Sequence, residues 1–242
     1  MKKRQKIRKT LAFLALLLFP LTLNYFSPYI SVTGAWMGIL SASLLTFAFM
    51  LVTAVFFGRS WCAWVCPMAG ISEFTNQIHP QNPDKRKLSI VRYGIFGIWF
   101  GFILLGFILA GGVRGIDPRL LNETWISVDE PAKYIIYYFV LFLLLLPNLI
   151  FGKRGACHGL CWMSPFLEAG FHIGRLLHLP KLRILSRPES CIECSKCDRV
   201  CPMSIPVSMD LKDGSIRTSD CILCGECVDA CPKGVLRTGI GR

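Results

Sequence analysis

The feature that most limits what this chain can fold into is a run of cysteines that occurs twice near its C-terminal end. The copies CIECSKCDRVCP, from Cys191, and CILCGECVDACP, from Cys221, share the spacing C-x2-C-x2-C-x3-C-P. Three cysteines spaced in this way hold three corners of a 4Fe-4S cubane, and the fourth, followed by proline, reaches the neighbouring cluster. We therefore predict two clusters with crossed ligation. The predicted ligands are Cys191, Cys194, Cys197 and Cys231 for one cluster, and Cys221, Cys224, Cys227 and Cys201 for the other.

Zinc and disulfide bonds are the alternatives for these cysteines. Structural zinc sites take two pairs of ligands and have no use for a duplicated triplet-plus-one order. Disulfides are disfavoured because all 12 cysteines fall in tight CxxC or CxxxC groups, and such local spacing suits metal better than long covalent loops. Between the two runs, the Asp213-Gly214 pair predicts a small hairpin within 205–219.

The composition indicates a membrane protein. With 53% hydrophobic residues, 17% charged residues and a mean hydropathy of +0.49, the chain is too apolar for an ordinary soluble domain. A spanning helix needs about 20 apolar residues, and four stretches qualify. Pro20 and Pro28 predict a kink in the first, and four glycines predict close helix packing by the third. The spans are 11–32, 35–57, 93–113 and 134–151, and the glycines are Gly94, Gly97, Gly101 and Gly106.

Charge distribution predicts the orientation. The N-terminal MKKRQKIRK precedes an apolar run without a small-x-small cleavage site, which favours an uncleaved signal anchor. An N-terminus inside also places the basic segment between the second and third spans inside and the loop 114–133 outside, as the positive-inside rule requires. Both termini and the ferredoxin-like runs are then cytoplasmic. Much of the net charge of +12 is thereby explained by topology and lipid contact, so we expect no nucleic-acid partner.

A second repeat follows the second and fourth spans. FFGRSWCAWVCPM and IFGKRGACHGLCWM each place C-x3-C just after an F-G-basic sequence. On a helix, residues four apart share a face, so each pair should present two thiols toward a common point at the same membrane face. These thiols, Cys62, Cys66, Cys157 and Cys161, could hold a third iron-sulfur cluster, copper(I) or zinc, or cycle between dithiol and disulfide. The alternative is that they are small buried residues at helix ends.

Taken together, the chain resembles the NapH-type quinol dehydrogenase membrane ferredoxins, which are related to the membrane parts of polyferredoxins. The resemblance rests on four spans, two C-x3-C-P motifs and the paired ferredoxin runs. The first motif matches fully, with Pro67 after Cys66; in the second, Trp162 replaces the proline and Pro165 follows three residues later. The resemblance implies electron passage between the quinone pool and another redox subunit.

Three further residues are candidates for contact with a quinone headgroup. Arg59 and Arg154 are predicted at the inner interface, where the alternative is that basic residues snorkel or fix topology. His158 lies inside the second C-x3-C and could protonate a quinone or ligate a metal, although a lone histidine is more often structural. The other histidines do not form the pairs within spans that b-type haem requires.

We therefore expect an all-α membrane domain of four helices in two pseudo-repeats (1–163), an amphipathic interfacial linker helix (164–187) and a small α+β ferredoxin domain of the bacterial two-cluster type (188–242). The predicted function is electron relay between quinone and a partner such as a ferredoxin-like protein, a cytochrome or a reductase, as a subunit of a quinol dehydrogenase. The predicted location is the bacterial inner membrane. The alternatives are a copper-handling or oxidase-maturation protein and a redox sensor that uses the same membrane cysteines.

Overall fold

The computed structural model describes residues 2–121 and 125–241, and it is mostly helical. Of the predicted outer loop 114–133, residues 122–124 lie outside the described residues. The helices before the ferredoxin-like runs are α1 (Lys3–Leu17), α2 (Phe19–Thr22), α3 (Pro28–Met37), α4 (Ala42–Phe57), α5 (Trp61–Trp64), α6 (Pro67–Ile78), α7 (Lys85–Leu109), α8 (Lys133–Phe151), α9 (Gly155–Gly159) and α10 (Ser164–Leu176), with a 3-10 turn at Leu23–Phe26.

Two helices, α7 and α8, are long and apolar enough to cross a membrane. In their most apolar windows only 22% and 11% of the residues are buried, so most of their side chains face outward. A third span is counted if α1 and Phe19–Phe26, which meet at an angle of 60°, form one bent span. This bend confirms the predicted kink near Pro20. A proline within a helix removes a backbone hydrogen bond and clashes with the preceding turn. Four spans are not confirmed.

The predicted second span, 35–57, is interrupted. Helix α3 ends at Met37, and Gly38 adopts a left-handed conformation (φ 70°). A short strand, β1 (Ile39–Ser41), follows and pairs in parallel with β2 (Gly115–Asp117) before α4 begins. Helix α4 has 16 residues, which is shorter than the roughly 20 that a span needs. The error has a simple cause: apolar composition cannot reveal a break that a glycine conformation and a distant strand create.

Of the four glycines predicted to mediate close packing of α7, one does so. A Cβ on Gly106 would lie 2.7 Å from the Trp36 side chain of α3, whereas nothing lies within 4 Å of the Cβ positions of Gly94, Gly97 and Gly101. A close contact also occurs on α10, where a Cβ on Gly174 would lie 2.3 Å from the Val55 carbonyl oxygen of α4.

Two halves of the helical part repeat the same order of elements. In each, a long apolar helix (α4 or α8) ends in Phe-Gly, a short helix (α5 or α9) carries the first cysteine of a C-x3-C pair, and a longer helix (α6 or α10) follows. Gly58 (φ 53°, ψ −137°) and Gly152 (φ 86°, ψ −148°) make equivalent turns in a backbone region that is essentially restricted to glycine. The halves pack reciprocally, since α4 contacts α10 while α8 contacts α6.

The predicted linker helix 164–187 is only partly correct. Helix α10 ends at Leu176, and the chain then forms a strand, β3 (Lys181–Ser186), which pairs antiparallel with β4 (Leu236–Gly241) at the other end of the ferredoxin-like segment. Pro180 cannot continue a helix, and the alternating residues after it suit a strand. Lys181 and Arg183 therefore belong to a sheet.

The ferredoxin-like segment is α+β, as predicted, but its strands are not where the Asp-Gly pair placed them. The residues between the two cysteine runs form α12 (Val207–Asp210) and a 3-10 turn (Leu211–Asp213), and only Ser215 bridges to a strand, at Leu185. Gly214 (φ 72°) ends this helical turn instead of forming a hairpin. The other helices are α11 (Lys196–Val200) and α13 (Glu226–Ala230), each of which carries the third cysteine of its run.

Candidate iron-sulfur centres and a four-thiol site

The eight C-terminal cysteines separate into the two predicted sets. One pocket is lined by Cys201, Cys221, Cys224 and Cys227, here called the inner quartet. A second pocket is lined by Cys191, Cys194, Cys197 and Cys231, the outer quartet. Each set thus takes three cysteines from one run and the last cysteine from the other run, which is the arrangement that crossed ligation requires. Ligation of clusters by these residues stays a prediction.

The two runs have the same backbone conformation around their second cysteine. Glu193 (φ 52°) and Ser195 (φ 52°) flank Cys194, and Leu223 (φ 54°) and Gly225 (φ 72°) flank Cys224 in the same way. Alternation of left- and right-handed residues turns successive backbone N–H groups toward one concavity, which is how many iron-sulfur sites receive their anionic cluster. The backbone therefore fits the group that the cysteines predict.

Burial distinguishes the quartets. Cys201, Cys224 and Cys227 of the inner quartet are buried, whereas all four cysteines of the outer quartet are partly exposed. Burial raises the pKa of Cys221 and of Cys224 to about 12. Free thiols at these positions would stay protonated at neutral pH, so the thiolates that a cluster needs would form on binding of iron.

The other four cysteines meet in the helical part. Cys62, Cys66, Cys157 and Cys161 all line one cavity, and we call them the four-thiol site. Burial raises the pKa of the Cys66 thiol well above its ordinary value, and the three neighbouring thiols raise it further. The structure thus brings together two cysteine pairs that lie 91 residues apart in sequence (157 minus 66).

The geometry within each pair differs from the predicted helix face. Cys62 and Cys157 lie in the short helices α5 and α9, but the second cysteine of each pair lies just beyond its helix. In both copies the backbone N–H of that cysteine donates a hydrogen bond to the carbonyl of the residue five positions earlier. Cys66 donates to the Trp61 carbonyl at 3.0 Å, and Cys161 donates to the Ala156 carbonyl at 3.1 Å. A wide turn, rather than one continuous helix, therefore directs the two thiols of each pair to the same cavity.

The departure of the second motif from C-x3-C-P also has a structural explanation. Pro67 is the first residue of α6, and Pro165 is the second residue of α10. Proline is tolerated in the first turn of a helix, where its missing N–H has no helical partner to lose. Each proline therefore lies in the first turn of the helix after its motif, and in the second copy that helix begins two residues later relative to the cysteines.

Two buried arginines flank the four-thiol site. Arg59 is 1% exposed and Arg154 is fully buried. Burial alone would lower the pKa of Arg59, but the neighbouring Cys62 and Glu168 raise it. In the same way, burial would lower the pKa of Arg154, but the neighbouring Cys157 raises it. Arg154 also donates to the Cys62 carbonyl at 2.8 Å. Both arginines are therefore charged and lie next to thiols.

Several buried N–H groups beside this site have no hydrogen-bond partner among the described residues. They are Arg59 Nε, Arg154 Nε and Nη2, and Trp162 Nε1. Buried donors without partners are costly, and groups of them in a native protein point to a binding site for a ligand or ion. Because the donors include two cations beside four thiols, a group that binds here should be anionic. A cubane with four thiolate ligands has this charge.

The three residues predicted to contact a quinone lie in different surroundings. Arg59 lines the cavity of the four-thiol site, whereas Arg154 and His158 are not among its lining residues. His158 is 2% exposed, and burial lowers its pKa to about 3, so it is a neutral imidazole. Its electrostatic neighbours are Asp220 and Arg59 on the side of the ferredoxin-like segment.

Two acidic residues of the site were missed by the sequence analysis. Glu73 and Glu168 each lie seven residues after the second cysteine of their motif, so the repeat extends to C-x3-C-x-M-x4-E. Glu168 binds Arg59 at 2.8 Å and Arg92 at 3.0 Å and accepts a hydrogen bond from the Tyr93 hydroxyl. Glu73 binds Arg8 at 2.5 Å. Comparing the two copies beyond their cysteines would have found both.

The N-terminal basic stretch also has a role that charge counting did not show. In α1, Gln5 donates to the Cys224 carbonyl at 3.0 Å, Arg4 donates to the Gly225 carbonyl at 3.0 Å, and Arg8 binds Glu226 at 2.5 Å. Residues interpreted as a topology signal therefore hold the loop of the inner quartet, which comprises residues 220–227 and is also called the inner loop, against the helical part.

The cavity of the four-thiol site has a volume of about 680 Å³ and is mostly apolar. Its lining extends from the four cysteines along α8, through Leu144 and Val140, to Ile136 and Lys133 near the opposite end of that helix. Ligand cavities of this size typically have apolar walls with a few polar groups that fix orientation. Here Arg59 and the thiols supply the polar end.

A single metal ion does not fit the thiols as they stand. Across residues 2–121 and 125–241, no three His, Cys, Asp or Glu side chains converge as ligands of one ion would. In a cubane each thiolate binds a different iron, so four thiols can surround a cluster without meeting at a point. The inner quartet, the outer quartet and the four-thiol site are each compatible with this mode of ligation.

Comparison with known families defines the class of the two cysteine-bearing segments. Residues 39–86, which contain Cys62 and Cys66, match a family model described as a 4Fe-4S binding domain. Residues 183–232, which contain the inner and outer quartets, match a 4Fe-4S dicluster domain. The chain thus carries two segments of the 4Fe-4S ferredoxin type.

Among individual proteins, the chain is similar to the methylamine utilization ferredoxin-type protein MauN of Methylobacillus flagellatus, with 28% identity over 184 residues, and to the putative electron transport protein YccM of Escherichia coli, with 25% identity over 191 residues. These matches cover 72% and 74% of this chain, but only 60% and 51% of the relatives. The chain therefore spans little more than half the length of these relatives. No solved structure matches it.

Proposed function

We propose that this chain is a membrane-bound iron-sulfur electron-transfer protein that relays electrons between quinone in the bilayer and a partner redox protein, in the manner of NapH-type quinol dehydrogenases. The observation that carries the proposal is the position of the four-thiol site. It lies between an apolar cavity on one side and the loop of the inner quartet on the other, where Trp64 donates to the Leu223 carbonyl at 3.3 Å.

The proposed occupants of the inner and outer quartets are 4Fe-4S clusters, and the proposed occupant of the four-thiol site is a third cluster. The matching family models and the backbone of the two runs support the first two. For the third, support comes from the unpartnered N–H groups of Arg59, Arg154 and Trp162 and from the match of residues 39–86. Clusters of this kind supply one-electron redox chemistry when bound, with potentials tuned by burial and hydrogen bonds.

The proposed ligand of the cavity is a quinone. Its apolar walls suit an isoprenoid tail, and the Arg59 guanidinium at its polar end suits a quinone oxygen. His158 does not line the cavity, so no role in protonating a bound quinone is proposed for it. The relatives named as ferredoxin-type and electron transport proteins support the general role of the relay.

The proposed topology is four crossings with both termini in the cytoplasm. Helices α7 and α8 provide two crossings, and the bent pair that begins with α1 and the apolar α4 provide the others. Isoleucines on the outer faces of α7 and α8, including Ile98, Ile108 and Ile135, are 67 to 75% exposed and suit contact with lipid. In this arrangement the ferredoxin unit begins at β3 and faces the cytoplasm, where a soluble or peripheral redox subunit can reach it.

Iron analysis of the anaerobically purified protein tests the proposed centres. Three cubanes predict about twelve irons and as many acid-labile sulfides per chain, and two predict about eight. The double variant Cys62→Ser, Cys157→Ser should lose about four irons and keep the EPR signals of the other clusters. Stoichiometric copper at the four-thiol site would instead favour a metal-handling protein, and an iron-free preparation would contradict the proposal.

A second experiment tests the reaction with quinone. In liposomes that contain a long-chain quinone, dithionite-reduced protein should be reoxidised, and the double variant should not. Arg59→Lys keeps the charge and tests whether the planar guanidinium is needed for this reaction. Reoxidation of the double variant at the rate of the unaltered protein would show that electrons do not pass through the four-thiol site.

A further inference from the structure

We infer that the two ferredoxin clusters act in a fixed order, in which the cluster of the inner quartet exchanges electrons with the four-thiol site and the cluster of the outer quartet exchanges them with the soluble partner. The inference rests on the proposed function and adds the sequence of steps. In the direction toward quinone, two successive one-electron transfers, together with two protons from water, convert one quinone to one quinol.

The loop of the inner quartet contacts the first cysteine motif directly. Trp64 lies between Cys62 and Cys66, and its indole N–H donates to the Leu223 carbonyl, next to Cys224. Arg154, from the second motif, donates to the Cys62 carbonyl at 2.8 Å and so joins the two motifs. These contacts give electrons a short path from the four-thiol site to the inner cluster.

Two ion-pair networks hold this same loop in place, and they are related by the internal repeat. In the first half, Arg8 joins Glu73 to Glu226, which precedes Cys227 in the loop; both distances are 2.5 Å. In the second half, Glu168 binds Arg92 of α7 at 3.0 Å and Arg59 at 2.8 Å. Arg59 continues to Asp220, which precedes Cys221, at 3.2 Å.

In both halves of the repeat, the glutamate seven residues after the motif therefore binds an arginine. That arginine in turn binds one end of the inner loop. Arg8 and Arg59 are buried, and buried pairs of this kind are costly to break because they leave an unpaired charge. The networks thus fix the distance between the inner cluster and the four-thiol site.

The outer quartet has different surroundings. Two exposed hydrogen bonds join its run and the residues just after it to the helical part: Lys153 donates to the Arg199 carbonyl at 2.9 Å, and Ser204 bonds to Asn82 at 2.9 Å. All four of its cysteines are partly exposed, and Ile192 beside Cys191 is 56% exposed. A cluster in this position is open to a partner in water and separated from the bilayer by the inner cluster.

The order is tested with variants that remove one cluster at a time. Cys194→Ser should remove the outer cluster and Cys224→Ser the inner one, each with a loss of about four irons and retention of the other EPR signal. In liposomes with a long-chain quinone, the inner cluster of Cys194→Ser should be reoxidised as fast as in the unaltered protein. The outer cluster of Cys224→Ser should not be reoxidised by the quinone. If that outer cluster reacts at the original rate, the order is wrong.

A water-soluble oxidant tests the order without quinone. In detergent, ferricyanide should oxidise the outer cluster of Cys224→Ser faster than the inner cluster of Cys194→Ser, because the inner one is shielded by the helical part. The reverse ranking would overturn the order even if quinone proves not to react at all. Failure of the unaltered protein to react with quinone, with the ferricyanide ranking as expected, would contradict the proposed function alone.

Two tryptophans of the first motif provide a matched pair of milder variants. Trp64→Phe removes the hydrogen bond to Leu223, while Trp61→Phe removes one to Thr53 of α4 at 2.9 Å, away from the ferredoxin segment. We expect Trp64→Phe to slow reoxidation of both clusters by bilayer quinone and to leave their equilibrium potentials unchanged. Trp61→Phe should leave the rate unchanged. Equal rates in the two variants would count against the path through Trp64.

Discussion

At the scale of single residues, the least expected finding is the burial of charge beside the cysteines. Arg8, Arg59 and Arg154 are each at most 1% exposed in a chain where most arginines could have been topology signals. Acidic partners explain how this is possible for Arg8 and Arg59: Glu73 and Glu168 come from equivalent positions of the repeat, and Glu226 and Asp220 come from the inner loop. Arg154 instead donates to the Cys62 carbonyl.

Glu168→Gln should therefore destabilise the protein strongly. The change removes the acid shared by Arg59 and Arg92, and loss of one partner of a buried pair costs about 3–5 kcal/mol. The free energy of unfolding can be measured by denaturant titration in detergent micelles. As a control, Lys87→Gln breaks an ion pair whose lysine side chain is 86% exposed and should leave stability unchanged. Equal effects of both changes would show that Glu168 is not part of a structural network.

At this scale the cysteine spacing predicts two ligand sets, and the cysteines of each set line one pocket, whereas the charged residues of the site were missed. Cluster ligands are recognised by local spacing, so the membership of the inner and outer quartets followed from the two runs alone. Glu168 interacts with Arg92, which lies 76 residues away, and nothing in a single chain indicates such a pair. What could have been seen was the repetition of a glutamate at the same distance from each motif.

At the scale of secondary-structure elements, the contact between α4 and α10 positions the site. Phe166 of α10 packs against Phe47 of α4 and Trp99 of α7, with ring centroids 6.0 and 5.6 Å apart. The backbones approach closely at Gly174, so that α10 can hold Glu168 against Arg59. Small residues allow this approach between helices in membranes.

Gly174→Ala should disturb this contact. The added Cβ would lie 2.3 Å from the Val55 carbonyl oxygen, and overpacking of this kind typically costs about 1–3 kcal/mol. Gly97→Ala on α7, where the Cβ meets nothing within 4 Å, is the matched control and should gain about 0.5–1 kcal/mol from helix propensity. Thermal unfolding measures the stability of each variant, and the iron content shows whether a disturbed α10 also weakens binding at the four-thiol site. Equal stability of the two variants would contradict a close contact at Gly174.

Element boundaries were harder to predict than element types. Hydropathy identified α7 and α8, because their apolar composition suffices. It missed the strand at Ile39–Ser41, which exists only through pairing with Gly115–Asp117, and the strand at Lys181–Ser186, which pairs with residues near the C-terminal end. Strand pairing between distant segments leaves little trace in either segment alone.

At the scale of the whole molecule, the ferredoxin segment depends on its cofactors and its neighbours. Its helices α11 and α13 have five residues each, and its sheet has two strands. Helices this short and isolated two-stranded sheets are not stable alone. The helical part, in contrast, contains helices of 25 and 19 residues, α7 and α8.

Removal of iron by a chelator and a mild oxidant should therefore unfold the two parts unequally. Trypsin should then cut at Arg199 and Arg217, which are exposed but held in the ferredoxin segment, while circular dichroism still reports most of the helix. Cleavage after Arg114, which is exposed in the loop before α8, serves as the control and should be unchanged. If protease resistance at Arg199 is unaffected by the loss of iron, then side-chain packing, and not the clusters, maintains the segment.

The reciprocal packing of the two halves has a consequence for the origin of the molecule. Each half contributes two thiols and one anchoring glutamate, and its long helix rests on the final helix of the other half. A polypeptide of half this length could have assembled the same four-cysteine chamber only by pairing with an identical copy around a twofold axis. Fusion of two such genes would have freed the copies to diverge, so that Trp162 could replace a proline in one while Pro67 persisted in the other.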